Sequence, residues 1–189
     1  MLEFNFSPFP TIETERLILR EINDDDMPVF FKMRSDEAVM KYVDRPRPKT
    51  LEDLKPLMEQ FKAGVAENTN LAWAICLKDT GEMIGNIGYW RNEPENHRGE
   101  VGYMLMPQFF GKGYASEALA AALNYGFNTM HLNSIKGCVD PENAASIHVL
   151  EKAGFVKEAH FREDYMFNGK FKDSGVYCML RSDWDTRHK

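Results

Sequence analysis

The sequence predicts an α/β (α+β) fold with a mixed sheet flanked by helices. Three observations lead there. Apolar residues recur at helical spacing in four stretches and alternate or run in short blocks in seven others. Residues 71–106 hold three strand-like blocks in succession, joined by short polar links, which is the pattern of an antiparallel meander. A glycine-punctuated loop and a long helical stretch follow that meander directly, and the two patterns then interleave to the end.

Taken in order, residues 15–21 (ERLILRE) read as a strand with Leu17 and Leu19 on one face. Asn23, Asp24, Asp25 and Asp26 open a helix through Val29, Phe30 and Met33, because short acidic and amide side chains cap free N–H groups at the positive end of the helix dipole. No glycine-punctuated calcium loop follows them, so they read as caps rather than as a cation site. Asp44–Lys49 is a proline-broken loop, either a solvated basic face or the edge of a cleft. Thr50 caps a helix to about Ala66, and Pro56 should kink it or delay its start. Strands are expected at 71–78, 82–90 and 98–106, a helix at about 114–129 and a strand at 134–139. Asp140-Pro141-Glu142 then reads as a helix start with Asp140 as its cap, and Gly154 as its end. Residues 155–162 and 176–180 close the chain as strands, with a hairpin around Asn168-Gly169.

The chain of 189 residues fits one domain, 1–189, able to bury a core without staples. Its formal net charge of −6 argues against nucleic-acid binding, which draws on a surplus of cations to neutralise phosphates. The three cysteines, Cys76, Cys138 and Cys178, are far apart and lie in apolar stretches. They read as small buried hydrophobes in a reducing compartment, with no zinc spacing and no metal expected. The N-terminus lacks a basic leader, and no apolar run approaches the roughly 20 residues that span a bilayer. The expected location is therefore the cytoplasm, without a membrane partner.

Chemistry concentrates in Gln108-Phe109-Phe110-Gly111-Lys112-Gly113-Tyr114-Ala115, between a strand and a helix. The first N–H groups of a helix lack internal partners and sit at its positive end, so a loop of this kind suits a pyrophosphate. Gly111 and Gly113 let the backbone turn sharply and approach a ligand, and Lys112 either adds charge or stands as a solvated lysine. A nucleotide P-loop would need glycine where Met106 stands and Ser or Thr where Gly113 stands. A dinucleotide fingerprint would need glycine at Ser116 and an acid within residues 131–135, which read His-Leu-Asn-Ser-Ile. Both fail.

Gln-x-x-Gly-x-Gly before a helix resembles the coenzyme A loop of the GNAT-type N-acetyltransferase superfamily. Other blocks match in order: ETERLILRE (13–21), IGNIGYW (84–90), GEVGYML (99–105) and NAASIHVLEKAGF (143–155). The opening is similar to the ribosomal-protein N-terminal acetyltransferase-like branch, and the resemblance covers about residues 11–182. It implies a strongly twisted sheet splayed in its middle, with acetyl-coenzyme A as acyl donor. The pantetheine arm would pair with the backbone of Tyr103, Met104 and Leu105. The pyrophosphate would meet N–H groups of Gly111, Lys112, Gly113, Tyr114 and Ala115, with Gln108 at the entrance. Asn143 matches the residue that reaches the pantetheine, or else it caps a helix.

An amine attacking a thioester must lose a proton, and the departing thiolate must be stabilised. Glu100 interrupts an apolar strand on the pleat face of Gly102 and Met104, and is the candidate base. The competing role is a strand-edge acid paired with Arg98 or another cation. The superfamily's usual Tyr, seven residues after the Asn, is Leu150 here. Ser146 matches a hydroxyl of the resembling branch and is the candidate thiolate stabiliser, or else it is a helix-surface or back-bonding serine. The acceptor would be a protein N-terminal amine or a small amine, met by the first helix region, the Asp44–Lys49 loop, Tyr89, Trp90 and Tyr165. Fold-level analogy allows a homodimer. The alternative function is a non-catalytic acyl-coenzyme A sensor.

Overall fold

The computed structural model describes residues 1–188. One eight-stranded sheet runs through it in the order β1-β2-β3-β4-β5-β6-β8-β7. Its strands are β1 (Ile12–Glu13), β2 (Leu17–Glu21), β3 (Leu71–Leu77), β4 (Met83–Glu93), β5 (Arg98–Leu105), β6 (Ser134–Val139), β7 (Val156–Phe167) and β8 (Lys170–Leu180). All neighbours are antiparallel except β5 and β6. Helices α1 (Met27–Ser35), α2 (Glu37–Met40), α3 (Lys55–Ala66), α4 (Tyr114–Asn128), α5 (Ala144–Ala153) and α6 (Arg181–Arg187) cover it. Among the described residues no helix is long and apolar enough to cross a membrane.

Successive strand side chains point to opposite faces, and Tyr89 and Trp90 of β4 show which helices lie where. The Tyr89 hydroxyl donates to the Ala122 carbonyl of α4 at 2.8 Å. Trp90 meets Phe61 of α3 with ring centroids 5.7 Å apart, and Phe61 in turn meets Phe30 of α1 at 5.3 Å. α6 joins the α4 side, where Trp184 stacks on Phe127 at 5.4 Å. Tyr89 is wholly buried in this packing, so the expectation that it contacts an acceptor is corrected.

Several sequence expectations are met at their residues. The difficulty at Pro56 disappears because a 3-10 turn over Leu51–Leu54, capped by Thr50 and Asp53, precedes α3. Pro56 then falls in the first turn of α3, where a missing N–H costs nothing. Asn168 and Gly169 take positive φ of 49° and 75° and turn the final hairpin, which is longer than expected. Two further expectations need correction. Asp140 does not cap α5: it accepts from the Glu142 N–H at 2.9 Å in a tight turn, and Asn143 is the cap, accepting from the Ser146 N–H at 3.1 Å. Cys76 and Cys178 are buried, but Cys138 is exposed, because β6 has lost its β5 neighbour at that level.

Candidate active site

β5 and β6 stay together for three rungs only: Arg98–Ser134, Gly99–Ile135 and Glu100–Lys136. Beyond Glu100 they separate. β5 continues to Leu105 paired on one side with β4, and β6 continues to Val139 paired on one side with β8. The β5 backbone from Val101 to Leu105 therefore presents hydrogen-bonding groups to an open wedge, where an extended ligand can pair as a strand does.

A cavity of about 380 Å³ opens in that wedge, within the range of small-molecule sites. Tyr103, Met104 and Leu105 form one wall, Gly111, Gly113, Tyr114 and Ala115 the mouth, and Asn143 and Ser146 the other wall. Val39 and Tyr42, in and just after α2, bound it as well, and sequence reasoning gave them no role. Glu100, Gln108 and Lys112 do not line it. The side chains of Gln108 and Lys112 are exposed, and Lys112 Nζ lies over the Phe109 ring at 5.5 Å.

The mouth has the chemistry of an anion site. Gly111 and Gly113 adopt φ of +70° and +82°, a left-handed backbone that costs other residues about 1–2 kcal/mol. With the chain so turned, the N–H groups from Gly111 to Ser116 donate to no backbone carbonyl among the described residues, and Glu117 is the first to do so, to Gly113 at 3.0 Å. Donors at a helix start, aimed outward at the positive dipole end, are what a pyrophosphate needs.

A clasp that sequence reasoning missed holds this loop. Glu117 accepts from Thr14 Oγ1 at 2.6 Å, from the Arg16 N–H at 2.8 Å and from Arg16 Nε at 2.6 Å. Arg16 Nη1 donates to the Lys112 carbonyl at 3.1 Å, and the guanidinium sits 4.6 Å from the Tyr114 ring centroid. Burial pushes the Glu117 carboxyl up, but the hydrogen bonds from Thr14 and Arg16 and the Arg16 charge outweigh it and hold it below the usual range. A depressed carboxylate stabilises the fold above its unfolded pKa, and that contribution is lost as pH falls through the lower folded value. The stability difference between wild type and Glu117→Gln is thus expected to be widest above about pH 4.3 and to narrow on acidification. Urea melts across that range check it, and a pH-independent difference would contradict it.

Glu100 occupies the last rung before the wedge, on the face opposite Tyr103. Its carboxylate lies 3.3 Å from Arg91 Nη1 and 3.6 Å from Lys136 Nζ, so its cations are these rather than Arg98. Arg98 instead donates to Ser134 Oγ at 3.2 Å. A bulge between Trp90 and Glu93, with Arg91 at φ 48°, turns the Arg91 guanidinium toward the acid. Across the wedge, Asn143 commits its oxygen to the cap, which leaves the amide N–H₂ free beside the cavity. The hydroxyls of Ser146 and Tyr103 lie 3.0 Å apart. Leu150 is buried, with its side chain packed on Gly137, and offers the cavity no proton. Tyr165, at the far edge, donates to Asp44 and ties the β7–β8 hairpin to the loop after α2.

Known proteins share this fold. Residues 16–156 match the family described as acetyltransferase (GNAT) domain. The uncharacterized N-acetyltransferase YoaA of Bacillus subtilis (strain 168) is 34% identical over 92% of this chain and 98% of its own. A GNAT-family acetyltransferase from Bacillus anthracis superposes with a TM-score of 0.82 at 30% identity, covering 92% of this chain and 99% of that one. The spermidine N-acetyltransferase of Vibrio cholerae, in complex with CoA and spermine, shares the fold with a TM-score of 0.80 at 23% identity, covering 90% of this chain and 99% of that one.

Proposed function

This chain belongs to the acetyltransferase (GNAT) family and is an N-acetyltransferase, and we propose that it carries acetyl-coenzyme A in the β5–β6 wedge, as a single domain, for direct attack by a primary amine. The observation that carries this reading is the end of the β5–β6 ladder at Glu100–Lys136. It leaves a free strand edge that runs toward the unpaired N–H groups of Gly111–Ser116.

The pantetheine arm pairs with the backbone of Tyr103, Met104 and Leu105, and the amide N–H₂ of Asn143 donates to it from α5. The pyrophosphate takes the N–H groups of Gly111, Lys112, Gly113, Tyr114 and Ala115. Gln108 and Lys112 contribute at the entrance through backbone and field rather than through the cavity wall. The thioester then lies at the vertex of the wedge, within reach of Glu100. The incoming ammonium gives its first proton to solvent, and as the neutral amine attacks the acyl carbon Glu100 takes the second proton from the nitrogen, directly or through water. The carbon–sulfur bond breaks with its electron pair on sulfur, and the Ser146 O–H stabilises the thiolate.

The acceptor enters from the face of Glu100 and Trp90, beside α1 and the loop after α2. It is a protein N-terminal amine or a small amine; a polyamine belongs to the second class. Purified protein with acetyl-coenzyme A and a panel of polyamines, amino acids and N-terminal peptides, followed by coenzyme A release, tests this. Release that depends on one acceptor class is expected, and no release with any amine would contradict the reading. The three unpaired thiols support a cytoplasmic location, and a homodimer is part of the same proposal by fold analogy.

A further inference from the structure

A serine hydroxyl has one hydrogen and rotates to suit its neighbours. In the first turn of a helix it can turn back to a preceding carbonyl or outward. Ser146 is in that position at the start of α5, so an O–H aimed at a sulfur in the cavity needs something to hold it there. The phenol of Tyr103, reaching over from β5, is 3.0 Å from Ser146 Oγ and 3.3 Å from the Ser146 carbonyl. Both residues line the cavity. A phenol is a stronger hydrogen-bond donor than an aliphatic alcohol. When its hydrogen points at Oγ, the serine hydrogen must leave in another direction, and the open direction is the cavity.

We propose that Tyr103 is a positioning residue whose phenol donates to Ser146 Oγ and thereby aims the serine O–H at the sulfur of the departing coenzyme A. The inference rests on the reading of Ser146 given above and deepens it. It supplies what the leucine at position 150 cannot: two hydroxyls, one on a strand and one on a helix, acting as one donor. No proton is transferred to sulfur in this step. The carbon–sulfur pair stays on sulfur, the thiolate accepts a hydrogen bond, and the proton lost by the attacking nitrogen goes to Glu100. Burial pushes the Tyr103 phenol up to about 12, so it remains a donor throughout the neutral range.

The test uses Tyr103→Phe, which removes one oxygen and keeps the ring. Turnover with acetyl-coenzyme A should fall roughly tenfold, the worth of one hydrogen bond, while the KM for acetyl-coenzyme A stays within about twofold. The second readout needs no turnover. Free coenzyme A is bound to the protein and its thiol titrated by ultraviolet difference absorbance. A donor to the thiolate lowers the thiol pKa, so Ser146→Ala and Tyr103→Phe should each raise it by about one unit, and the double variant no further. A thiol titration shifted by Ser146→Ala but unmoved by Tyr103→Phe would overturn the role of Tyr103 alone. A titration unmoved by Ser146→Ala would overturn both readings together. Additive shifts in the double variant would show two independent contacts and would also sink the proposal.

Discussion

Gly113→Glu will abolish acetyl-coenzyme A binding in a protein that still folds. Gly113 is the cap of α4, with φ of +82°. Any side chain there costs about 1–2 kcal/mol of backbone strain, and a carboxylate also sets negative charge among the unpaired N–H groups that are to hold a pyrophosphate. A Cβ at this position would lie 3.3 Å from Arg16 Nη2, so the new acid competes with Glu117 and the Lys112 carbonyl for that guanidinium. Loop shape and charge change together. Gly113→Ala separates them: it carries the strain without the charge and should weaken binding only by about tenfold. Circular dichroism checks the fold. Tight binding retained by folded Gly113→Glu would remove the loop from the donor site.

Glu100→Gln will slow turnover by about a hundredfold or more, the usual worth of a general base, while acetyl-coenzyme A affinity stays nearly intact. Glutamine keeps the volume, and its oxygen can still accept from Arg91 and Lys136, so the last rung of the ladder survives. The side chain lies on the face opposite Tyr103 and outside the cavity lining, which is why binding should not follow turnover down. Unchanged turnover would leave Glu100 as a structural acid paired with its two cations.

The loop at Gln108–Ala115 was legible because its signals are local. Two glycines lie between a strand and a helical period that follow one another directly in the chain, and α4 begins at Tyr114 as that pattern demands. The hairpin at Asn168-Gly169 was legible for the same reason. The clasp was not: Thr14 and Arg16 are about a hundred residues from Glu117, and only the fold brings them together. The partners of Glu100 were hidden in the same way. Lys136 arrives on a parallel neighbour, and Arg91 is re-aimed by a bulge that no periodicity shows. Asp140 and Asn143 are both good caps three residues apart, and the proline between them favoured the wrong one. In the structure each caps a backbone N–H, Asp140 in a turn and Asn143 in the helix. Cys138 looked buried because residues 134–139 read as an ordinary strand. Its exposure depends on where β5 departs, and a strand's own sequence does not say which neighbour it loses.

Every step proposed for this chain depends on acetyl-coenzyme A binding in the β5–β6 wedge. Calorimetric titration of the purified wild-type protein with acetyl-coenzyme A tests it most directly, with ATP and NAD as controls that also carry phosphates. Saturable binding of acetyl-coenzyme A, with neither control binding comparably, is the predicted result. An absence of heat with acetyl-coenzyme A, or equal binding of ATP, would mean that the loop at Gly111–Gly113 is a connector or a general phosphate site, and the account would fail at its base.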